Sequence, residues 1–275
     1  MKPRPFTYIR PETVGEAIDA LAEWKEAARV MAGGQTLIAM LNLRLVDCEA
    51  IIDISRMAEL SVITRTASHI EIGAAVTQNR LLSRPDLARE VPLLAKTMPW
   101  VGHFQTRNKG TVCGSIAHAD PSAELPLSLS LLGGEVVLRS KRGTRVLKAA
   151  KFHRGLLSTD RAPDELLVAV RFPLGAKGEG TGFHEVARRH GDFAIVSLGA
   201  RARPEAVDIA IGGVTDRPAV RSIARADLSR LDDVVDALAA ELGGYEDIHA
   251  TARYRRDLVR RLARPVIDEA LSCSA

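Results

Sequence analysis

One short stretch divides this chain more sharply than any other feature of its sequence. Residues 174–182 read LGAKGEGTG, with four glycines and few apolar side chains, which is typical of a linker rather than a helix or strand. Short apolar runs and helix-like segments alternate before it, and strand-like runs followed by two amphipathic helices come after it. A length of 275 residues also suits two domains. We therefore expect one domain over residues 1–175 and a second over residues 180–275.

After this linker the order of the elements predicts an α+β unit, because strands followed by helices favour one sheet with helices packed on one face. Thr13 and Glu16 have the spacing of a helix capping box. The other predicted elements of the first domain are strands at 29–32, 51–54, 70–75 and 165–172, helices at 36–43, 79–82, 91–98 and 125–132, and a hairpin from 134–138 and 146–149. Those of the second domain are strands at 183–188, 194–201 and 207–212 and helices at about 228–242 and 247–271.

Composition excludes several classes of function. The chain has 38 basic and 34 acidic residues, a balance that gives no support for a nucleic-acid partner. Cys48, Cys113 and Cys273 are far apart and form no C-x-x-C pair, so neither a metal cluster nor a disulfide framework is expected within this chain. Sparse cysteines suit a reducing cytoplasm. The sequence contains no uncharged apolar run of about 20 residues, so no membrane span is predicted.

The first candidate site is the sequence Ala32-Gly33-Gly34-Gln35-Thr36, which lies between a strand-like and a helix-like run. Two glycines allow the backbone to approach a ligand closely. Successive N–H groups and the start of the following helix form an anion cradle that suits a pyrophosphate. The alternative is a tight strand–helix turn without a ligand. The spacing matches neither a Rossmann nor a P-loop motif.

The second candidate site lies in the segment Gly102–Pro121, which is rich in glycine, histidine, asparagine and threonine and lacks a clear period. A long irregular stretch inside a compact domain is usually functional. Within it, Thr111 to Ser115 offers hydroxyls and a close backbone surface. Glu124, just beyond, could accept hydrogen bonds from a ribose. The alternative is an irregular loop in the core.

Three stretches together resemble a known family. They are VGHFQTRNKGTVCGSIAHADP from Val101 to Pro121, the sequence from Ala32 to Thr36, and ARRHGDFA from Ala187 to Ala194. Their sequence, order and spacing resemble the medium, FAD-binding subunit of the xanthine dehydrogenase and carbon monoxide dehydrogenase family, over essentially the whole chain. The resemblance implies an N-terminal FAD-binding domain of the vanillyl-alcohol-oxidase (PCMH) type with two α/β subdomains. It implies a C-terminal domain with a three-stranded antiparallel sheet and helices.

The resemblance also implies which residues bind FAD. The two loops would hold the pyrophosphate from two sides, Glu124 would lie near the adenosine ribose, Val168 near the cofactor, and Phe193 close to the isoalloxazine ring. This chain has Cys113 where relatives usually have glycine, so a thiol is expected to shift the backbone or narrow the pocket and to weaken FAD binding without preventing it. It has Phe193 where some relatives have tyrosine. The expected cofactor-binding residues are Ala32, Gly33, Gly34, Gln35, Thr36, Thr111, Cys113, Gly114, Ser115, Glu124, Val168 and Phe193.

The same resemblance implies that the chain works in a complex of three kinds of subunit with different roles. A large subunit with molybdopterin would hydroxylate the substrate, a small subunit would hold two [2Fe–2S] clusters, and this chain would pass their electrons to an acceptor. The assembly would be a dimer of heterotrimers in the cytoplasm. No catalytic acid, base or metal ligand is expected in this chain, since the flavin itself performs the redox chemistry. The substrate and the acceptor stay open.

Two alternatives also stay open. Cys113 could close the site, which would make the chain a flavin-free scaffold subunit of the same complex. The chain could instead be a stand-alone flavin oxidase, although no histidine or cysteine has a setting that indicates covalent flavin attachment. A basic run in the last helix is expected to be a solvated face, or else a docking surface for an acidic partner. Its members are Arg253, Arg255, Arg256, Arg260, Arg261 and Arg264.

Overall fold

Residues 2–274 are described by a computed structural model, and they form fourteen strands and eleven α-helices. The strands are β1 (Thr7–Ile9), β2 (Ala28–Met31), β3 (Ala50–Asp53), β4 (Ile63–Arg65), β5 (His69–Gly73), β6 (Glu135–Ser140), β7 (Gly143–Lys148), β8 (His153–Gly155), β9 (Ser158–Thr159), β10 (Leu166–Pro173), β11 (Gly180–Val186), β12 (Val196–Ala202), β13 (Ala206–Gly212) and β14 (Ala219–Ala224). The helices are α1 (Val14–Trp24), α2 (Leu37–Asn42), α3 (Gln78–Leu82), α4 (Leu87–Glu90), α5 (Pro92–Thr97), α6 (Phe104–Arg107), α7 (Val112–His118), α8 (Glu124–Leu131), α9 (Ala149–Phe152), α10 (Leu231–Leu242) and α11 (Ala252–Ser272).

The first subdomain is a three-stranded parallel sheet in the order β1-β3-β2, accompanied by α1 and α2. Helix α1 is capped by Thr13, whose side chain accepts a hydrogen bond from the Glu16 amide at 3.2 Å, as the capping pattern predicts. Because the strands are parallel, their carboxyl ends lie at one edge. There the Ile54 amide donates to the Met31 carbonyl at 2.9 Å, so the chain that follows β2 starts against the end of β3.

The second subdomain is a five-stranded antiparallel sheet in the order β4-β5-β10-β6-β7. The predicted hairpin is confirmed as the β6–β7 pair. Strand β10 is the central strand, and its apolar side chains join the core shared by the two subdomains. Its register with β6 shifts between Leu167 and Ala169, which leaves Val168 as the extra residue of a bulge.

The C-terminal part forms a four-stranded antiparallel sheet in the order β11-β12-β13-β14, on which α11 packs with α10 beside it. The expected α+β architecture is confirmed, but the prediction of three strands was one too few. Strand β14 is the unpredicted one, and it pairs with β13 from Ala206↔Ala224 to Ile211↔Ala219. It is an edge strand in which only Ile223 is buried, so its sequence lacks the apolar run that marks β11 to β13.

Part of the predicted linker is strand rather than connection. Gly180 and Gly182 lie in β11, where a side chain would collide with the carbonyl oxygens of Ala270 and Val266 in α11. These glycines therefore allow close packing of strand on helix, which is a different use of glycine from flexibility. Only residues 174–179 connect β10 to β11.

Helix α8 of the first domain packs directly on strands β12 and β13 of the C-terminal sheet. Gly199 on β12 makes room for this packing, because a methyl group there would lie 2.9 Å from Leu131 and 3.1 Å from Leu127. Lys96 on α5 adds a polar contact by pairing with Glu269 and donating to the Thr181 carbonyl at 2.5 Å. The C-terminal sheet is therefore held against the first domain by close apolar packing and by this lysine.

The sequence predicted that the basic run of the last helix is a solvated face. The structure shows that part of this run is buried or paired within the domain. Arg255 has only 1% of its surface exposed. Its guanidinium donates to the carbonyls of Ile195 at 2.5 Å and Gly213 at 2.7 Å and pairs with Asp247 at 2.7 Å. Other members pair with α10, since Arg260 contacts Asp236 and Arg264 contacts Asp232. Arg255 therefore stabilises the domain from inside, and Arg260 and Arg264 pair with acids of this chain, whereas Arg253 stays exposed, as the sequence predicted for the whole run.

We predict that Arg255→Leu lowers the free energy of unfolding by about 3 kcal/mol, because buried carbonyl groups and Asp247 lose their common partner. Arg253→Leu is the matched control, since the Arg253 side chain is 88% exposed and lies 3.9 Å from Asp257. Urea unfolding of both variants measures the difference. Equal midpoints for the two variants would contradict a structural role for Arg255.

Candidate functional site

The first predicted loop leaves β2 at the carboxyl edge of the parallel sheet and enters α2. Gly34 has φ +68°, a left-handed backbone conformation that favours glycine. The carbonyl of Gly34 accepts from the Ile38 amide at 3.0 Å and begins the helical hydrogen bonding. The chain therefore changes direction at Gly34 and passes from β2 to α2 within a few residues, as the glycine pair predicts.

The backbone amides of this loop are available to a ligand. Within residues 2–274, the N–H groups of Gly33, Gly34, Gln35 and Thr36 donate to no backbone carbonyl. The Gln35 side-chain amide donates to the Gly33 carbonyl at 3.3 Å, which stiffens the turn. Consecutive free N–H groups at the start of a helix form a positively polarised cradle for an anion.

The second predicted loop turns out to be a helix start. Thr111 caps α7, and its hydroxyl accepts from the Gly114 amide at 3.0 Å. A methyl group added at Gly114 would lie 2.7 Å from that hydroxyl, so the cap requires glycine at this position. The segment Gly102–Pro121, predicted to be irregular, thus contains the short helices α6 and α7. The sequence did not predict these helices, because they are short and rich in small and polar residues and therefore show no periodic pattern of apolar side chains.

The two loops touch each other. A side chain at Gly33 would collide with the carbonyl oxygen of Lys109 and lie 2.7 Å from the Cα atom of Gly110. Gly110 immediately precedes Thr111, so the backbone before α7 lies directly against the backbone before α2. Sequence separation between these segments is large, and only the glycine at position 33 permits such an approach. The structure therefore brings the two predicted loops into one place.

The Cys113 thiol does not face this contact. Its Sγ atom donates to the Ile72 carbonyl at 3.3 Å, and the residue is 3% exposed. Burial raises the pKa of the Cys113 thiol far above its ordinary value. The expectation that a thiol narrows the pocket was therefore wrong, because the second residue of α7 points its side chain into the sheet.

Residues that the sequence did not indicate hold the second loop in place. The Gln78 amide donates to the Gly110 carbonyl at 2.8 Å, and the Val112 amide donates to the Val76 carbonyl at 3.2 Å. The Gln78 side-chain oxygen is buried beside Gly110 without a hydrogen-bond partner among the described residues. Arg107 donates to the carbonyl of Gly102 at 2.7 Å. Gln78 gave no signal in the sequence beyond its place at a helix start.

Glu124 is the first residue of α8 and lies at the boundary with the C-terminal sheet. It is 6% exposed, and burial together with the nearby Asp120 carboxylate raises the pKa of its carboxyl to about 7. The predicted ribose ligand is therefore an enclosed acid that needs hydrogen-bond donors. Within residues 2–274, no hydrogen bond joins the Glu124 side chain to either loop.

The last two predicted residues occupy different settings. Val168 forms the bulge of β10, and its carbonyl accepts from the Ala74 amide at 2.9 Å. Phe193 lies on the connection from β11 to β12 and is 64% exposed. Gly191 of that connection packs on the first domain, since a methyl group there would lie 2.6 Å from the ring of His103. The connection that carries Phe193 thus rests on the segment that leads into the second loop.

These features fit a dinucleotide better than a metal ion. Free amides, a glycine contact that a side chain would fill, and a capped helix start suit a pyrophosphate. Across residues 2–274 no group of three histidine, cysteine or acidic side chains has the arrangement of a metal site.

No helix within residues 2–274 has the length and hydropathy needed to cross a membrane.

Comparison with known protein families agrees with this geometry. Residues 4–175 match the model of the FAD binding domain in molybdopterin dehydrogenase. Residues 181–270 match the CO dehydrogenase flavoprotein C-terminal domain. The predicted FAD-binding domain is therefore confirmed.

Individual relatives match over their whole length. The glyceraldehyde dehydrogenase medium chain of Sulfolobus acidocaldarius is 31% identical over 98% of this chain and 99% of its own. The structure of quinoline 2-oxidoreductase from Pseudomonas putida 86 matches with a TM-score of 0.93 and 33% identity, covering 100% of this chain and 99% of that one. A carbon monoxide dehydrogenase structure from Hydrogenophaga pseudoflava matches with a TM-score of 0.93 and 28% identity, covering 100% of both. The chain belongs to the family of FAD-binding medium subunits of molybdenum hydroxylases and dehydrogenases, which are oxidoreductases.

Proposed function

We propose that this chain holds FAD between its two loops and transfers electrons from iron–sulfur clusters of a partner subunit to an external acceptor. The contact of Gly33 with the backbone before Thr111 carries the proposal, because it joins a row of free amides to a capped helix start. Bound FAD would supply the redox chemistry, whereas the chain would supply binding, orientation and electrostatics.

Each group of residues has a task in this proposal. The amides of Gly33 to Thr36 bind one side of the pyrophosphate, and the α7 start, from Thr111 to Ser115, binds the other. Glu124 accepts hydrogen bonds from the adenosine ribose. The exposed ring of Phe193 covers the isoalloxazine ring, and Val168 provides an apolar surface beside it.

We further propose the partners that this role requires. The relatives include subunits of multi-subunit dehydrogenases, such as a 6-hydroxypseudooxynicotine dehydrogenase complex. A large subunit with molybdopterin and a small subunit with two [2Fe–2S] clusters would join this chain in a dimer of heterotrimers in the cytoplasm. Gel filtration with both candidate subunits tests this directly. A chain that binds FAD and elutes alone would instead support the stand-alone flavin oxidase.

The proposed cradle recognises a pyrophosphate, so it should distinguish FAD from FMN, which has only one phosphate and no adenosine. This preference is measured by titrating the purified chain with each flavin and recording the quenching of flavin fluorescence. We expect at least tenfold tighter binding of FAD, which corresponds to about 1.4 kcal/mol. Equal affinities would contradict the two-loop site, and binding of neither flavin would support the scaffold role.

A side chain at Gly33 should separate the two loops. We predict that Gly33→Ala weakens FAD binding roughly tenfold to hundredfold, because charge-assisted hydrogen bonds of about 1.5–3 kcal/mol lose their geometry. Gly15→Ala is the matched control, since the nearest atom to its new methyl group lies at an ordinary 3.7 Å. The same flavin titration measures both variants. Unchanged affinity in Gly33→Ala would contradict the proposed contact.

Because the Cys113 thiol lies in the core, it should affect stability and not the cofactor. We predict that Cys113→Ala lowers the free energy of unfolding by about 1 kcal/mol through lost packing and leaves FAD affinity unchanged. Urea unfolding and the flavin titration give the two readouts. A gain in affinity without loss of stability would show that the thiol obstructs the site and would revive the scaffold hypothesis.

A further inference from the structure

The side chain of Gln78 lies at the contact between the two loops, and the proposed function gives it no task. A methyl group added at Gly110 would lie 3.0 Å from the side-chain oxygen of Gln78, Oε1. Gly110 is also the residue whose Cα atom would lie 2.7 Å from a side chain at Gly33. The backbone adds to this arrangement, because the Gln78 amide donates to the Gly110 carbonyl at 2.8 Å. Gln78 and Gly33 therefore both pack on Gly110.

The Gln78 oxygen is buried without a hydrogen-bond donor. Gln78 is 5% exposed, and its Oε1 atom makes no hydrogen bond with any of residues 2–274. Buried polar groups in native proteins are nearly always paired, and an unpaired acceptor costs free energy. The missing donor at Oε1 therefore points to a group that does not belong to this part of the chain.

The backbone next to Oε1 favours a donor over another acceptor. The Gly110 amide is already used, since it donates to the Thr106 carbonyl at 2.7 Å, and the Val112 amide donates to the Val76 carbonyl at 3.2 Å. The Thr106 carbonyl oxygen is a second acceptor at this place, because it lies 3.0 Å from the same methyl position at Gly110. A group that binds beside these oxygens must therefore donate a hydrogen bond.

The chemistry of FAD decides which of its groups can meet this need. The pyrophosphate offers only acceptor oxygens, so it cannot pair with Oε1. Hydroxyl donors lie on both sides of the pyrophosphate, on the adenosine ribose and on the ribityl chain of the flavin. Glu124 is the proposed partner of the ribose, and no hydrogen bond within residues 2–274 joins its side chain to the loops. The ribityl chain is therefore the donor that remains for Gln78.

We propose that Gln78 is a further cofactor-binding residue, whose Oε1 atom accepts a hydrogen bond from a ribityl hydroxyl of FAD. The proposal rests on the proposed function, since it requires the pyrophosphate to lie between the two loops. Through Gln78, the flavin half of the cofactor is tied to Gly110, the residue that also joins the loops to each other.

Thermal unfolding without FAD tests whether Oε1 is unpaired in the free protein. Gln78→Met has a side chain of similar length but no acceptor oxygen, so its unfolding midpoint should rise by about 2 °C. Gln105→Met is the matched control, because Gln105 is exposed on α6, and its midpoint should stay at the wild-type value. A lower midpoint in Gln78→Met alone would show that Oε1 already has a donor, which would overturn the proposal.

FAD analogues that each lack one ribityl hydroxyl test the contact itself. The wild type should bind one of these analogues about tenfold more weakly than FAD, because one hydrogen bond is lost. Gln78→Met should bind FAD and that analogue equally, since it cannot make the contact with either, and Gln105→Met should behave like the wild type. The same loss for every analogue in wild type and in Gln78→Met would overturn the contact.

Competition with ADP separates this contact from damage to the loop. ADP carries the pyrophosphate and the adenosine but no ribityl chain, so Gln78→Met should bind ADP like the wild type while its affinity for FAD falls about tenfold. Equal losses for ADP and FAD would mean that Gln78 only supports the loop, and the ribityl contact would be wrong. A wild-type chain that binds neither ADP nor FAD would overturn the proposed function itself.

Discussion

The close approach of Gly33 to the backbone of Lys109 and Gly110 is the contact on which the site depends. One segment follows β2 of the parallel sheet, and the other lies between α6 and α7 and is bonded to Gln78 beyond β5 of the antiparallel sheet, so this contact also joins the two subdomains. A side chain at position 33 would push the two backbones apart. The free amides of the first loop and the cap of α7 would then no longer face one ligand.

The C-terminal sheet contributes to the site by where it packs. Helix α8 lies on β12 and β13, and the connection with Gly191 lies on His103. These contacts place the connection that carries Phe193 beside the segment that leads into the second loop. Arg255 stabilises the same sheet by donating to the carbonyls of Ile195, just before β12, and Gly213, just after β13. A domain that carries no loop of the cradle thus sets the geometry around it.

The sequence was a good guide to what local chemistry determines. The turn at Gly34, the cap at Thr13 and the strands with apolar runs were predicted because propensity and patterning decide them. Strand β14 was missed because an exposed edge strand lacks such a run. The direction of the Cys113 side chain could not be predicted, because the sequence does not show that α7 turns the thiol toward the Ile72 carbonyl of β5.

The sequence also could not show contacts between distant segments. No local pattern brings Gly33 to Lys109, because such a contact arises only when the two subdomains have packed. Arg255 looked like one more member of a basic face, yet packing buries it where carbonyl oxygens converge. Resemblance to a family supplied the expected cofactor residues, and their places in this chain came only from the folded backbone.

Amide hydrogen exchange with and without FAD tests the central claim most directly, because it reports on the backbone N–H groups that form the cradle. The account predicts that FAD slows exchange in residues 33–36 and in residues 111–115 together, since both loops hold the same pyrophosphate. Protection of only one loop, or protection of neither while FAD is bound, would contradict a single site built from both.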